Sequence, residues 1–168
     1  MKFNRFLLRL IAILITGTLI SSGVYSLTQT NEKTILFYHI DRGDLIEVLV
    51  YRRIPVSNSQ LTNTINALLA GPTRQELNRG IMSFIPRDTR LLGINIRENI
   101  AYINLSSDFL YNSYGREGYT RQLNQIVWTV VNGFALDVQI LIEGRIIDYI
   151  GGDIWIGGPL ARIFMPFN

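Results

Sequence analysis

Leu91-Leu-Gly-Ile-Asn-Ile-Arg-Glu-Asn-Ile-Ala-Tyr-Ile-Asn-Leu105 is the stretch on which the fold turns. Leu92, Ile94 and Ile96 alternate with Gly93, Asn95 and Arg97; beyond Glu98-Asn99, Ala101, Ile103 and Leu105 alternate with Tyr102 and Asn104. A period of two on both sides of a short polar turn predicts a β-hairpin with one apolar face. That face needs a cover, and the flanking segments supply it. Upstream, Leu61, Ile65, Leu68 and Leu69 share one side of a helix, which Ser57, Asn58 or Ser59 can cap and Gly71-Pro72 stops. Downstream, Tyr119, Leu123, Ile126, Val127 and Val130 keep helical spacing over about 119–132, with Phe134 just beyond. Val138, Ile140 and Ile142 then alternate as a further strand. The order helix, strand, strand, helix, strand predicts an α/β domain of the α+β type, a single mixed sheet with helices on one face.

Further out, Thr34–Ile40 and Leu45–Ile54 flank Asp41-Arg-Gly-Asp44 and predict a hairpin ahead of this core. Thr73 and Glu76 have capping-box spacing, so 75–79 reads as a short helix closed by Gly80, followed by an irregular apolar stretch, 81–86. Ser106 or Ser107 caps a turn over 108–111, and a loop around Gly115 and Gly118 precedes the long helix. Glu143-Gly-Arg145 is a turn from which 146–150 returns, and a glycine-rich stretch, 151–158, leads to Pro159-Leu-Ala-Arg162.

The N-terminus has a different composition. Lys2, Arg5 and Arg9 precede an apolar run from Leu10 to Ile20, and no charge appears until Glu32. The uncharged stretch Leu10–Leu27 would span about 27 Å as a helix, just short of a hydrocarbon core. Residues 1–27 therefore read as a signal or membrane-anchor segment with its basic end in the cytoplasm and the body outside. Retention as an anchor competes with cleavage after Ser26. Residues 28–33 form a linker, 34–162 the domain and 163–168 a tail. Of sixteen basic residues, three lie in this leader; the remaining thirteen balance thirteen acids. The body is neutral and has no basic stripe, which excludes nucleic acid as a partner.

With no cysteine and one histidine, His39, the chain excludes thiolate chemistry and thiolate metal sites, and a serine–histidine relay would have to use a residue inside a strand. No Gly-x-Ser-x-Gly elbow is present. Glu98, Asp108 and Glu117 could in principle pair as a glycosidase would require, but thirteen scattered acids supply such pairs by chance. No cofactor, metal or catalytic residue is expected. Arg42-Gly43-Asp44 spells an adhesion tripeptide that the hairpin turn already accounts for.

Several segments together resemble one family. Ala67-Leu-Leu-Ala-Gly-Pro-Thr73, followed by Glu76, Gly80, Ser83, Ile85-Pro86, Thr89 and Leu91, is similar to the signature stretch of the GerMN domain of sporulation and spore-germination proteins. Tyr102-Ile-Asn-Leu-Ser106 with Phe109, Gln125-Ile-Val-Trp-Thr129, Val138 to Gly144 and Pro159-Leu-Ala-Arg162 resemble its later blocks. The resemblance covers about residues 34–162. It implies an extracytoplasmic, non-catalytic module of the bacterial envelope whose α-β-β-α-β core is similar to ring-building motifs. The chain departs from the common family patterns in having no lipoprotein cysteine, one copy of the domain and no appended second module.

The expected role is a membrane-tethered scaffold contacting envelope proteins or further copies of itself, in a homo-oligomer or ring. The alternative is a module that binds peptidoglycan or another envelope glycan, with Tyr111, Tyr114 and Tyr119 stacking on sugars. For the scaffold, the helical wheel places Trp128 opposite the apolar stripe, beside Arg121 and Gln125, as an interface anchor. Against it stands cover from within the chain, with Trp155 and the glycine-rich stretch folding back over Trp128.

Overall fold

The computed structural model describes residues 29–161. The leader 1–27, its cleavage point after Ser26 and the tail 163–168 lie outside the described residues. Among the described residues, no helix is long and apolar enough to cross a membrane.

Strands β1 (Thr30–Asp41) and β2 (Asp44–Pro55) form the first hairpin, in register from Thr30 opposite Pro55 to Asp41 opposite Asp44. Its two-residue turn, Arg42-Gly43, has positive φ at both positions, the backbone twist that suits a tight hairpin. Helix α1 (Gln60–Leu69) and helix α2 (Arg74–Leu77) follow; the Thr73–Glu76 capping box closes on α2 in both directions. Within the stretch expected to be irregular, Ile81–Met82 forms a short strand, β3, paired with Tyr38 and His39 of β1. The first sheet thus has the order β2-β1-β3.

The second hairpin comprises β4 (Leu91–Arg97) and β5 (Ile100–Leu105), turning at Glu98-Asn99, both with positive φ. A 3-10 turn, Ser107–Leu110, leads to α3 (Gly115–Phe134), which returns the chain to β6 (Asp137–Ile142), parallel to β5. The expected α-β-β-α-β order is present, on a sheet ordered β4-β5-β6. Ala101, Ile103, Leu105, Val138, Ile140 and Ile142 form one core with Leu123, Ile126, Val127 and Val130 of α3 and Leu61, Ile65 and Leu68 of α1. Two short strands, β7 (Tyr149–Ile150) and β8 (Ile154–Trp155), pair near the end.

Several details differ from the sequence reading: residues 30–33, read as linker, already belong to β1, and Tyr149–Ile150 pairs with Ile154–Trp155. Leu92 is exposed rather than in the apolar row, because the register shifts between Leu91 and Gly93 and Leu91 takes the place opposite Leu105. Helix α3 starts four residues early, at Gly115, and includes Gly118, where Asn112 and Tyr114 lie so close that a Cβ would be 2.4 Å from Asn112 Oδ1. Trp155 remains exposed, packed against Gly157 and Gly158.

The largest correction concerns the polar row of α3. Arg121 and Gln125 are buried, not displayed beside Trp128, and Trp128 itself is half-buried. The reason is the first hairpin. Strand β1 pairs with β3 only at Tyr38 and His39, so further along its edge needs other hydrogen-bond partners. Helix α3 supplies them at four-residue spacing. The Leu36 N–H donates to Thr129 Oγ1 at 3.3 Å, and the Leu36 carbonyl accepts from Gln125 Nε2 at 3.0 Å. One turn beyond, Lys33 Nζ donates to the Gly133 carbonyl at 3.0 Å while lying over the Phe134 ring. Helix α3 is covered on two sides, by the second sheet and by β1.

Candidate functional site

A groove of about 500 Å³ opens where α1 ends. Its walls are Leu69 to Pro72 of the α1–α2 connection, Leu77 of α2, the strip from Met82 to Ile85 with Arg87, and Tyr114. Each wall has a local cause. Gly71 adopts positive φ and ends α1. Thr73 Oγ1 accepts from the Glu76 N–H, and the Glu76 carboxylate accepts from the Thr73 N–H at 2.7 Å. Glu76 also receives both Arg52 guanidinium nitrogens, at 2.7 and 2.6 Å, which ties α2 to β2. This bidentate bond, with smaller help from Thr73, holds the Glu76 carboxyl below its ordinary value, against the desolvation that would raise it.

The opposite wall hangs on two amides, Gln125 buried and Asn112 half-buried. Gln125 Oε1 accepts from the Phe84 N–H at 2.8 Å and from Ser83 Oγ at 3.3 Å. Asn112 donates through Nδ2 to the Phe84 carbonyl and to Gln122 Oε1, and through Oδ1 accepts from the Tyr114 N–H at 2.8 Å. The Phe84 ring meets Tyr38 on one side and Tyr114 on the other, edge-on, with centroids 5.2 and 5.3 Å away. Beneath them the Arg121 guanidinium lies over Tyr38 and Phe84 and is paired with Glu117. Burial, and secondarily Glu47 across the hairpin, push the Tyr38 hydroxyl far above its ordinary value; Arg121 and Asn124 pull weakly the other way.

Of the three tyrosines singled out from sequence, the structure joins two. Tyr111 and Tyr114 stand 74% and 60% exposed and line a smaller hollow with Ser83 to Arg87. Tyr119 does not join them: its hydroxyl donates to the Leu110 carbonyl at 2.6 Å, and its ring packs on Gly151. Gln125 supports the groove wall through Ser83 and Phe84, while Arg121 packs on Phe84 and lines a separate hollow with Ile40, Leu45 and Glu117; neither is an outer surface beside Trp128. Leu77, Met82, Phe84, Arg87 and Asn112 were not singled out from sequence, although Phe84 sits inside the stretch that carries the family resemblance. Asn112 makes one local bond, to the Tyr114 N–H, but the partners that set the groove wall, Gln122 and Phe84, are 10 and 28 residues away and leave no periodic signal.

The arrangement suits recognition. The Ser83 hydroxyl is engaged by an amide, and Arg87 is the one cationic side chain among the groove walls. Among the described residues, no three histidine or carboxylate side chains gather as a metal site would need.

No curated protein matches the chain by sequence. Solved structures do match in fold. The tandem GerMN domains of the sporulation protein GerM from Bacillus subtilis align with a TM-score of 0.65 at 19% identity, over 85% of this chain. The match covers 49% of that structure, so the chain spans about half its length. The first GerMN domain of the same protein gives 0.62 at 23% identity, over 80% of this chain and 99% of that one. A putative lipoprotein from Clostridium perfringens gives 0.58 at 22% identity, over 83% and 93%. The family described as Germane, sporulation and spore germination, matches residues 24–148, most of the chain and both walls of the groove. The chain belongs to this Germane, or GerMN, family.

Proposed function

We propose that the chain is a non-enzymatic assembly module of the bacterial envelope, tethered to the cytoplasmic membrane by residues 1–27 with its domain outside. The observation that carries this reading is the groove beside the signature stretch. It is walled by main chain and by Leu69, Leu77, Met82 and Tyr114, with Arg87 at its rim. Such a surface fits an extended apolar segment of another envelope protein, with Arg87 selecting for an acidic flank. The family supports the reading, since it is not known as a family of enzymes. The leader supports the tether through its bases ahead of an uncharged run. In a spore former the role would be of the sporulation or germination type.

A photo-crosslinking residue at Leu77, in the full chain expressed in its own cells, tests the groove. Adducts to envelope proteins that Tyr114→Ala abolishes are the expected result. Crosslinks to lipid alone, or adducts unaffected by Tyr114→Ala, would overturn it. A second reading, glycan binding, is favoured by the adjacent exposed rings of Tyr111 and Tyr114. Retention on purified cell-wall sacculi, lost in Tyr111→Ala and Tyr114→Ala, would establish that reading in its place.

A further inference from the structure

We propose that two copies of the chain pair through the free edge of β2, antiparallel, about a two-fold axis at Val50. The proposal gives the assembly reading a homotypic contact and rests on it.

The strand order β2-β1-β3 leaves β2 with one unpaired edge among the described residues, twelve residues long. Leu36 decides which groups lie along that edge. Its N–H and carbonyl point to α3, so its neighbours Ile35 and Phe37 bond β2, through Val50 and Val48. Glu47, Leu49, Tyr51 and Arg53 therefore aim their main-chain groups outward. The weak 3.4 Å contact from the Arg52 guanidinium to the Tyr51 carbonyl agrees with this direction. The same four residues present exposed side chains, Leu49 at 45% and Tyr51 at 63%. A long edge with apolar side chains is a template for another strand.

The sequence of the edge is complementary to itself. With Val50 facing Val50 of the second copy, Leu49 meets Tyr51 and Glu47 meets Arg53, each pair occurring twice by symmetry. Sliding one allowed step either way sets Glu47 against Tyr51 or against Pro55, and no opposite charges then meet. Neither Glu47 nor Arg53 forms a salt bridge among the described residues. Arg53 faces Glu32 across the hairpin without closing on it. Both charges are thus available to a second copy, and their spacing fits this register.

The absence of cysteine makes the test direct. Val50→Cys in the full chain, purified in mild detergent and oxidised, is expected to give a disulfide dimer. Residues opposite each other in a non-hydrogen-bonded antiparallel pair lie about 4.5 Å apart at Cα, within disulfide range. Ile46→Cys is the register control and should stay monomeric, because its two copies would lie on the order of 26 Å apart. By sedimentation, Glu47→Arg or Arg53→Glu alone should weaken dimerisation about tenfold, and the double exchange should restore it. Circular dichroism melting confirms that each variant folds. No dimer with Val50→Cys, equal dimer with Ile46→Cys, or no rescue by the double exchange would overturn the proposal. Its failure leaves the assembly reading standing if the Leu77 crosslinks to envelope proteins persist; loss of both removes that reading as well.

Discussion

Gln125 satisfies main-chain groups of two separate segments, accepting from Phe84 and donating to Leu36, in a fully buried setting. Replacing its amide with an apolar group of similar size strands a buried N–H and a buried carbonyl together. Gln125→Leu should therefore cost about 2–4 kcal/mol, read from urea unfolding, although it makes the helix more apolar. A loss under about 0.5 kcal/mol would mean that water replaces the amide at both positions. Glu76 makes a pH-dependent contribution. Its carboxyl is held below the ordinary 4.5, so the stabilisation is complete above that value and is lost as pH falls through the lowered one. Glu76→Gln should flatten the acid limb of the stability profile. The effect at neutral pH should be about 1–2 kcal/mol, since Arg52 keeps one acceptor but loses the charge.

At the scale of elements, α3 shows how one helix serves two neighbours. Its apolar stripe packs on β5 and β6, while Gln125 and Thr129 complete the edge of β1. Its first turn is held by contact with Asn112 and Tyr114 across Gly118. Gly118→Ala normally favours a helix, by about 1 kcal/mol. Here the added methyl would meet Asn112 Oδ1 at 2.4 Å and Tyr114 Cβ at 2.5 Å, so overpacking prevails. We expect a net loss of about 1–2 kcal/mol in thermal unfolding. The Tyr114 fluorescence environment should change as the groove wall moves. A stabilised variant would show that the 111–114 loop yields freely.

For the whole molecule, the arrangement of charge is decisive. The domain is neutral and the three excess bases precede the apolar run, which predicts insertion with the domain outside. Protease added to intact spheroplasts should digest the domain and leave a fragment carrying the leader. Full-length protein surviving that treatment would place the domain in the cytoplasm and end the envelope reading.

Local periodicity was enough for the elements themselves. The alternation in 91–105, the apolar spacing of 61–69 and 119–130, and the Thr73–Glu76 box each report interactions within a few residues, so each is legible in one dimension. The α-β-β-α-β order followed, because every apolar face of those elements had to be covered. The polar row of α3 was not legible in the same way. Arg121, Gln125 and Thr129 look like a solvated face until β1, some 90 residues earlier, comes to lie along them with an unpaired edge. The groove likewise depends on Asn112 joining Phe84 to Gln122. A hydrogen bond between distant segments has no sequence period. Polar residues whose partners are backbone groups elsewhere in the chain acquire their role only when tertiary packing excludes water and leaves those groups needing a bond.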